Sequence, residues 1–402
     1  MRIAYISADL GVPVFGRKGC SIHVQEVVHT LRRRGAQVQL FSTNCDGTPP
    51  HGLETLSIHT LPRPPKGERA AREASSIALN REWIAAVERE GPFDFVYERY
   101  SLWSHSGMEY ARRVGVPGLL EVNSPLIEEQ AAYRVLIDRG SAEGVAHKVF
   151  GDASVIIAVS DELVRYLERF PGARGKIRVI ANGVNPNRYL RNLTPSLPAE
   201  EGLFTVGFVG TLKPWHGVSV LIEAFALLLA RAPNARLLIV GDGTEKEKLL
   251  ADLSSRNLLD KAHFTGSVAH NDVPGLLASM DVAVAPYPNL ADFYFSPLKV
   301  YEYMAAGLPV VVSNIGQLGK LINHDVNGLL VQAGDAGELA HALVRLRNEP
   351  LLRARLGEAA RACILHEHTW EKVVDRIFAL ADLHSPRKPG SSYTIGTLLR
   401  NR

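Results

Sequence analysis

Ser296, Lys299 and Glu302 stand at helical spacing inside DFYFSPLKVYEYMAAGLPVVV, residues 292–312 of this 402-residue chain. Before them, the apolar run at 281–287 is closed by Pro286 and Pro288, the pattern of a buried parallel strand and its exit loop. Ser296 then falls where a helix N-cap is expected, with Pro297 at the first helical position, where a missing N–H costs nothing. The pattern predicts a short helix at 299–306, a left-handed stop at Gly307 and a buried strand at 308–312. A strand, a turn and a helix N-terminus form an anion site, because unpaired N–H groups and the helix dipole point at the ligand. Glu302 lies one turn inside, about 6 Å further along the axis. A carboxylate there suits a neutral hydroxyl beside the anion, such as that of a sugar or ribose. A solvated helix residue is the other reading open at this point.

The elements that must position these side chains alternate along the chain. Strands are expected at 2–7, 37–42, 93–97, 117–122 and 154–160, and again at 204–209, 236–240 and 263–264. Helices are expected between them, at 21–34, through residue 87, at 101–114, 161–170, 217–229, from 245, at 272–278, 338–347 and 351–366. This implies an α/β chain of two Rossmann-like parallel-sheet domains facing across a cleft, with ligand at the carboxyl ends of the strands. The expected division is a first domain at 1–190, a polar proline-dotted linker at 186–202, and a second domain at 200–368. Residues 385–402 lack apolar periodicity and read as a frayed tail. The first βα loop carries Gly11, Gly16 and Gly19 but no G-x-G-x-x-G, so a dinucleotide reading loses its main support.

Composition narrows the classes. With 46% hydrophobic and 22% charged residues, the chain reads as soluble and globular. A net charge of +3 does not indicate nucleic-acid binding. Cys20, Cys45 and Cys363 are odd in number and unpaired in spacing, as expected of reduced thiols in a cytoplasmic protein. No run approaches the roughly 20 apolar residues of a membrane span, and MRIAYISADLG reads as a first strand rather than a signal peptide. The segment 61–74, rich in proline and arginine, is either a solvated linker or a loop beside the cleft. The basic run Arg32–Arg34 either rests on anionic lipid as a peripheral contact or is a solvated helix end.

The stretch from Ser296 resembles the signature of the family 4 retaining glycosyltransferases, S-x-x-K-x-x-E-x-M-A-x-G-x-P-V-V, with Met304, Ala305, Gly307, Pro309, Val310 and Val311 also matching. The resemblance covers nearly the whole chain and implies the GT-B fold, with 369–384 as a helix returning onto the first domain. In that family the glutamate at Glu302 binds the ribose of a nucleotide sugar. An earlier family glutamate, which contacts the transferred sugar, falls here at Tyr294, and Asp292 is the nearest carboxylate that could replace it. The loop around Gly19, His23 and Val24 resembles G-G-x-x-x-H-V, with Lys18 in place of the first glycine, and implies contacts near the donor phosphates. Asn123 and Ser124 stand where many members have histidine-aspartate, while Glu98 and Arg99 are open to either a cleft role or an internal ion pair. The loop GTLKPWHG at 210–217 matches G-R-L-x-x-x-K-G, which puts Thr211 and His216 where the family's phosphate-binding arginine and lysine fall. Gly210, Gly241 and Leu298 complete the implied nucleotide-sugar contacts, and 264–268 matches a segment of the base pocket.

The chemistry so implied is transfer of a sugar, with retention, from a nucleoside diphosphate sugar to a small-molecule, glycan or lipid-linked hydroxyl acceptor. Lys213, Lys299 and Glu302 are the expected catalytic set. Lys213 is the main phosphate cation, because an unperturbed lysine stays charged at neutral pH, and His216 is an assisting donor. The GT-B resemblance implies cationic side chains and a helix N-terminus in place of a metal or other cofactor, and consistently no D-x-D closes a strand and no His/Cys ligand cluster occurs. Two other functions stay open. One is a catalytically silent protein that binds nucleotide sugar, suggested by Tyr294; the other is a GT-B epimerase acting on the donor alone.

Overall fold

The computed structural model describes residues 1–197 and 200–384. The expected tail at 385–402 lies outside the described residues.

Runs of β-branched and aliphatic residues, buried on both faces, form two parallel sheets. The first contains β1 (Arg2–Ser7), β2 (Gln37–Ser42), β3 (Ser57–Thr60), β4 (Phe95–Arg99), β5 (Gly118–Val122), β6 (Val155–Ala158) and β7 (Ile177–Val179). Their spatial order is β3-β2-β1-β4-β5-β6-β7. The second contains β8 (Phe204–Val209), β9 (Ala235–Val240), β10 (Ala262–Gly266), β11 (Val282–Ala285), β12 (Val310–Ser313) and β13 (Leu329–Val331), in the order β10-β9-β8-β11-β12-β13. Every strand pairing within both sheets is parallel. The chain therefore forms two Rossmann-like domains. Each sheet reverses its order beside its first strand, at β1/β4 and at β8/β11, and open α/β sheets bind ligands at such points.

Differences from the predicted elements have local causes. β3 reads SIHT, too polar to show as a buried strand, and it lies at the sheet edge. The helix expected through residue 87 is two, Arg69–Ala78 and Asn80–Glu90. Two helices not predicted, Leu126–Tyr133 and Arg139–Asp152, follow β5. The second buries Ala142, Val145, Ala146, Val149 and Phe150, a stripe made inconspicuous by its alanines. The segment 61–74 is partly anchored: Glu73 is buried and accepts backbone N–H bonds from Ile137 at 3.1 Å and Asp138 at 2.9 Å.

Helix Trp370–His384 lies against the first-domain helix Gly19–Arg33. Trp370 and Val373 are nearly inaccessible and Val374 and Ile377 fully so; burial of one such side chain contributes about 1.5–3 kcal/mol. The crossing is held where the Trp370 N–H donates to the Val184 carbonyl at 3.1 Å and the Val184 N–H donates to His368 at 2.9 Å. Gly183 permits this approach, since a Cβ there would lie 2.8 Å from the Trp370 nitrogen. The basic run is engaged by protein groups: Arg32 donates to the Gly52 carbonyl at 2.7 Å, Arg33 meets Glu371 at 3.2 Å, and Arg34 pairs with Asp375. Among the described residues, no helix is long and apolar enough to cross a membrane.

Candidate active site

The signature helix spans Leu298–Ala305, with Pro297 at its N-cap and Gly307 left-handed (φ 75°) just beyond its end. Ser296 is not the cap. Its hydroxyl accepts the Asn182 N–H at 3.1 Å, and the Asn182 amide donates to its carbonyl at 2.7 Å. The Asn182-Gly183 turn at the end of the first domain thus fixes the entry to this helix.

Lys299, in the first turn, points back beneath the loop after β8. Its ammonium lies 4.1 Å from the centre of the Phe208 ring and 5.6 Å from that of Tyr287, is buried, and has no hydrogen-bond partner among the described residues. Burial pulls its pKa down to about 7, with Glu302 opposing the shift. Gly210 makes room for it: φ is 147°, and a Cβ would sit 2.6 Å from the ammonium nitrogen. Gly241 closes over Gly210 in turn, for its Cβ would lie 2.0 Å from the Gly210 carbonyl oxygen. A buried ammonium without a hydrogen-bond partner among the described residues is costly, and a bound anion would relieve that cost.

Glu302 lies one turn along, with its side chain 14% exposed, so it is not the fully solvated residue allowed by one sequence reading. Burial raises its pKa to about 7; the Tyr189 hydroxyl opposes that shift, Glu26 adds to it, and Arg188 and Lys299 oppose it. His270 is 3.7 Å away and held neutral, its pKa lowered to about 3 by burial and then by Arg188. Arg188 bridges the domains, 3.0 Å from Glu26 and 2.9 Å from Asn271. Glu26, Arg188, Tyr189, His270 and Glu302, together with Ile22, Leu298 and Trp370, line a small recess between the domains. Gly19 lies beside Leu298, since a Cβ on that glycine would come 4.0 Å from the leucine methyl. Glu26, Arg188, Tyr189 and His270 were not singled out in the sequence, where each is an isolated polar residue without a motif.

The other expected residues divide. In the loop after β8, Lys213 is solvent-facing, 3.4 Å from the Thr244 hydroxyl and 5.8 Å from the Trp215 ring centre. His216 instead turns inward, its Nδ1 bonded to the Thr211 carbonyl, and burial followed by Lys299 lowers its pKa to about 3. With Nδ1–H donating, its Nε2 is an acceptor, so in the free protein His216 is a buried neutral ring whose Nδ1 proton is already engaged. His23 is 2% exposed, lies 3.0 Å from Glu121 and packs edge-on against Trp370, from behind the recess lining rather than in it. Arg99 stands 3.8 Å from Glu121, an internal pair, and Glu98 is fully buried, accepting from Ser104 at 2.6 Å and the Met108 N–H at 3.1 Å. Asp292 is exposed, while the Tyr294 hydroxyl donates to Glu129 of the first domain.

Residues 17–188 match the model described as Glycosyltransferase Family 4, and residues 204–349 match that described as Glycosyl transferases group 1. The chain belongs to the family 4 glycosyltransferases. This glycosyltransferase is 25% identical over 403 residues to a D-inositol 3-phosphate glycosyltransferase of Saccharomonospora viridis, covering 91% of this chain and 88% of that protein. It is 29% identical to a glycogen synthase of Mycobacterium tuberculosis, covering 93% of this chain and 92% of that protein. A crystal structure of HepE from Anabaena in complex with UDP-glucose superposes with a TM-score of 0.71 at 20% identity, over 95% of this chain and 100% of that one. The GT-B fold is thus that of the glycosyltransferase, and the recess with Glu302 lies between its two domains.

Proposed function

We propose that this family 4 glycosyltransferase moves a sugar, with retention and without a metal, from a nucleoside diphosphate sugar to a hydroxyl acceptor. The observation that carries the donor reading is the buried ammonium of Lys299, without a hydrogen-bond partner among the described residues and one turn from the Glu302 carboxylate. A diphosphate at the N-terminus of the signature helix supplies the anion that Lys299 lacks, and Lys213 meets it from the solvent side. Glu302 then accepts hydrogen bonds from the ribose hydroxyls. The UDP-glucose bound by the Anabaena protein belongs to the same ligand class.

As the anomeric C–O bond breaks, its electron pair passes to the leaving phosphate oxygen, and the growing charge is met by Lys299, Lys213 and the helix dipole. Attack from the same face retains configuration, and the leaving phosphate takes the acceptor's proton, so no protein base is assigned. The acceptor approaches from the first-domain side, and the reaction belongs in the cytoplasm, where nucleotide sugars and free thiols such as Cys20, Cys45 and Cys363 coexist. The relatives' names lend no support to a silent binding protein or an epimerase.

A thermal-shift panel of UDP, GDP and ADP with their glucose conjugates tests the donor reading, because a ligand of the native state raises the melting temperature. One base is expected to stand out, and turnover of its conjugate should release the diphosphate. Absence of any shift across the panel overturns the proposal.

A further inference from the structure

Tyr294 belongs to the second domain but is held by the first at both ends. Its carbonyl accepts the Ser160 hydroxyl at 2.9 Å, its phenol donates to Glu129 Oε1, and its ring packs against the first-domain core. Glu129 sits on the unpredicted helix Leu126–Tyr133, half-buried, with Tyr294 as the only partner of its carboxylate among the described residues. Four residues on, along the same helix face, Tyr133 packs on Trp215 with ring centres 5.4 Å apart. One face of this helix therefore touches both second-domain loops that flank the Lys299 ammonium. Glu129 reaches the loop leading into the signature helix, and Tyr133 reaches the loop after β8.

A sugar linked to a diphosphate between those loops would meet this helix face. We propose that Glu129 recognises the transferred sugar, its carboxylate accepting hydrogen bonds from the sugar hydroxyls while Tyr294 positions it. The inference rests on the nucleotide-sugar reading above. A carboxylate with one oxygen engaged keeps lone pairs on the other, and neutral polyols are bound through such acceptors. Burial, followed by Glu129 itself, drives the Tyr294 pKa upward, so the phenol keeps its proton and acts as a fixed donor. Tyr294 thus holds a carboxylate of the first domain at the loop that leads into the signature helix. Asp292, exposed on the same loop, has no such support.

The test is calorimetry at constant pH on the full chain, Glu129→Gln and Tyr294→Phe, with UDP, GDP and ADP and the glucose, galactose and mannose conjugates of whichever diphosphate binds. Glu129→Gln should weaken the preferred conjugate about tenfold or more and leave the bare diphosphate within about twofold. Tyr294→Phe keeps the carboxylate but frees it, so it should narrow the preference among the three sugars with a smaller loss of affinity. Equal losses for diphosphate and conjugate would mark Glu129 as structural only and overturn the inference. So would an unchanged conjugate affinity, or a wild type that binds diphosphate but none of the three conjugates. A wild type that binds no diphosphate defeats the donor reading itself, and this inference falls with it. Should Glu129→Gln fail to fold, unchanged sugar preference in Tyr294→Phe overturns the paired role.

Discussion

The Lys299 ammonium rests 4.1 Å from the centre of the Phe208 ring, with no hydrogen-bond partner among the described residues. A cation–π contact contributes about 0.5–2 kcal/mol. Removing an ammonium from water costs several kcal/mol, roughly twice that or more. The ring therefore does not offset the burial, and the free protein carries Lys299 at a cost that a bound anion would relieve.

Replacing the lysine separates stability from binding. Lys299→Met keeps the length and apolar stem while removing the charge, so the melting temperature should stay level or rise. Affinity for the preferred nucleoside diphosphate should fall about a hundredfold, in line with losing a buried charge-assisted contact. Scanning calorimetry and titration calorimetry read the two effects. A destabilised protein with intact diphosphate affinity would contradict both halves.

The same burial shapes the pH dependence of binding. The Lys299 pKa is lowered to about 7, so its charged fraction, the form that binds a diphosphate, falls as pH rises above that value. The Glu302 pKa is raised to about 7, so the carboxylate is lost as pH falls below it. Affinity should peak near neutrality and fall on each side by up to about tenfold per pH unit. Glu302→Gln should remove the acid limb beyond what the diphosphate's own titration gives, and Lys299→Arg the alkaline one. His216, held neutral, should contribute to neither, so His216→Gln keeps the profile. A profile that none of these substitutions alters would refute the assignment.

Glu302→Gln should weaken a ribonucleoside diphosphate about tenfold to a hundredfold at alkaline pH, the range for a hydrogen bond to a charged acceptor. With a 2′,3′-dideoxy analogue, which lacks the hydroxyls, wild type and variant should bind alike. A loss of the same size for both nucleotides would show that Glu302 acts on the fold and not on the ribose.

Glu98 makes a prediction about stability alone. It is fully buried beneath the helix Ser106–Val114, without an ion-pair partner among the described residues, and burial raises its pKa from 4.5 to about 7. The folded chain thus holds this proton more tightly than the unfolded chain, so stability falls as pH climbs from about 4.5 to 7 and stays reduced above. Over that window the loss is about 3 kcal/mol. Glu98→Gln keeps an acceptor for the Met108 N–H without the charge. Its melting temperature should match wild type near pH 5 and exceed it at pH 8. A constant difference across that range would place the effect elsewhere.

The sequence determined what is local. Short continuous apolar runs marked most strands and period-3.6 hydrophobicity most helices, and their alternation implied two parallel sheets, because strands covered by helices on both faces carry apolar side chains throughout. The signature helix was legible for the same reason: Pro297, Gly307 and the spacing of Lys299 and Glu302 act within three turns of chain. Only the tertiary structure decided what those residues meet. Ser296 leaves the cap because Asn182, 114 positions away, claims its hydroxyl. Glu129 meets Tyr294 across 165 positions, and Arg188 meets Glu26 across 162. Such pairs leave no periodic trace, since two domains and their connections must close before either partner exists. The charges of Lys299, His216 and Glu302 follow from burial, which is set by every element packed around them rather than by their neighbours in sequence.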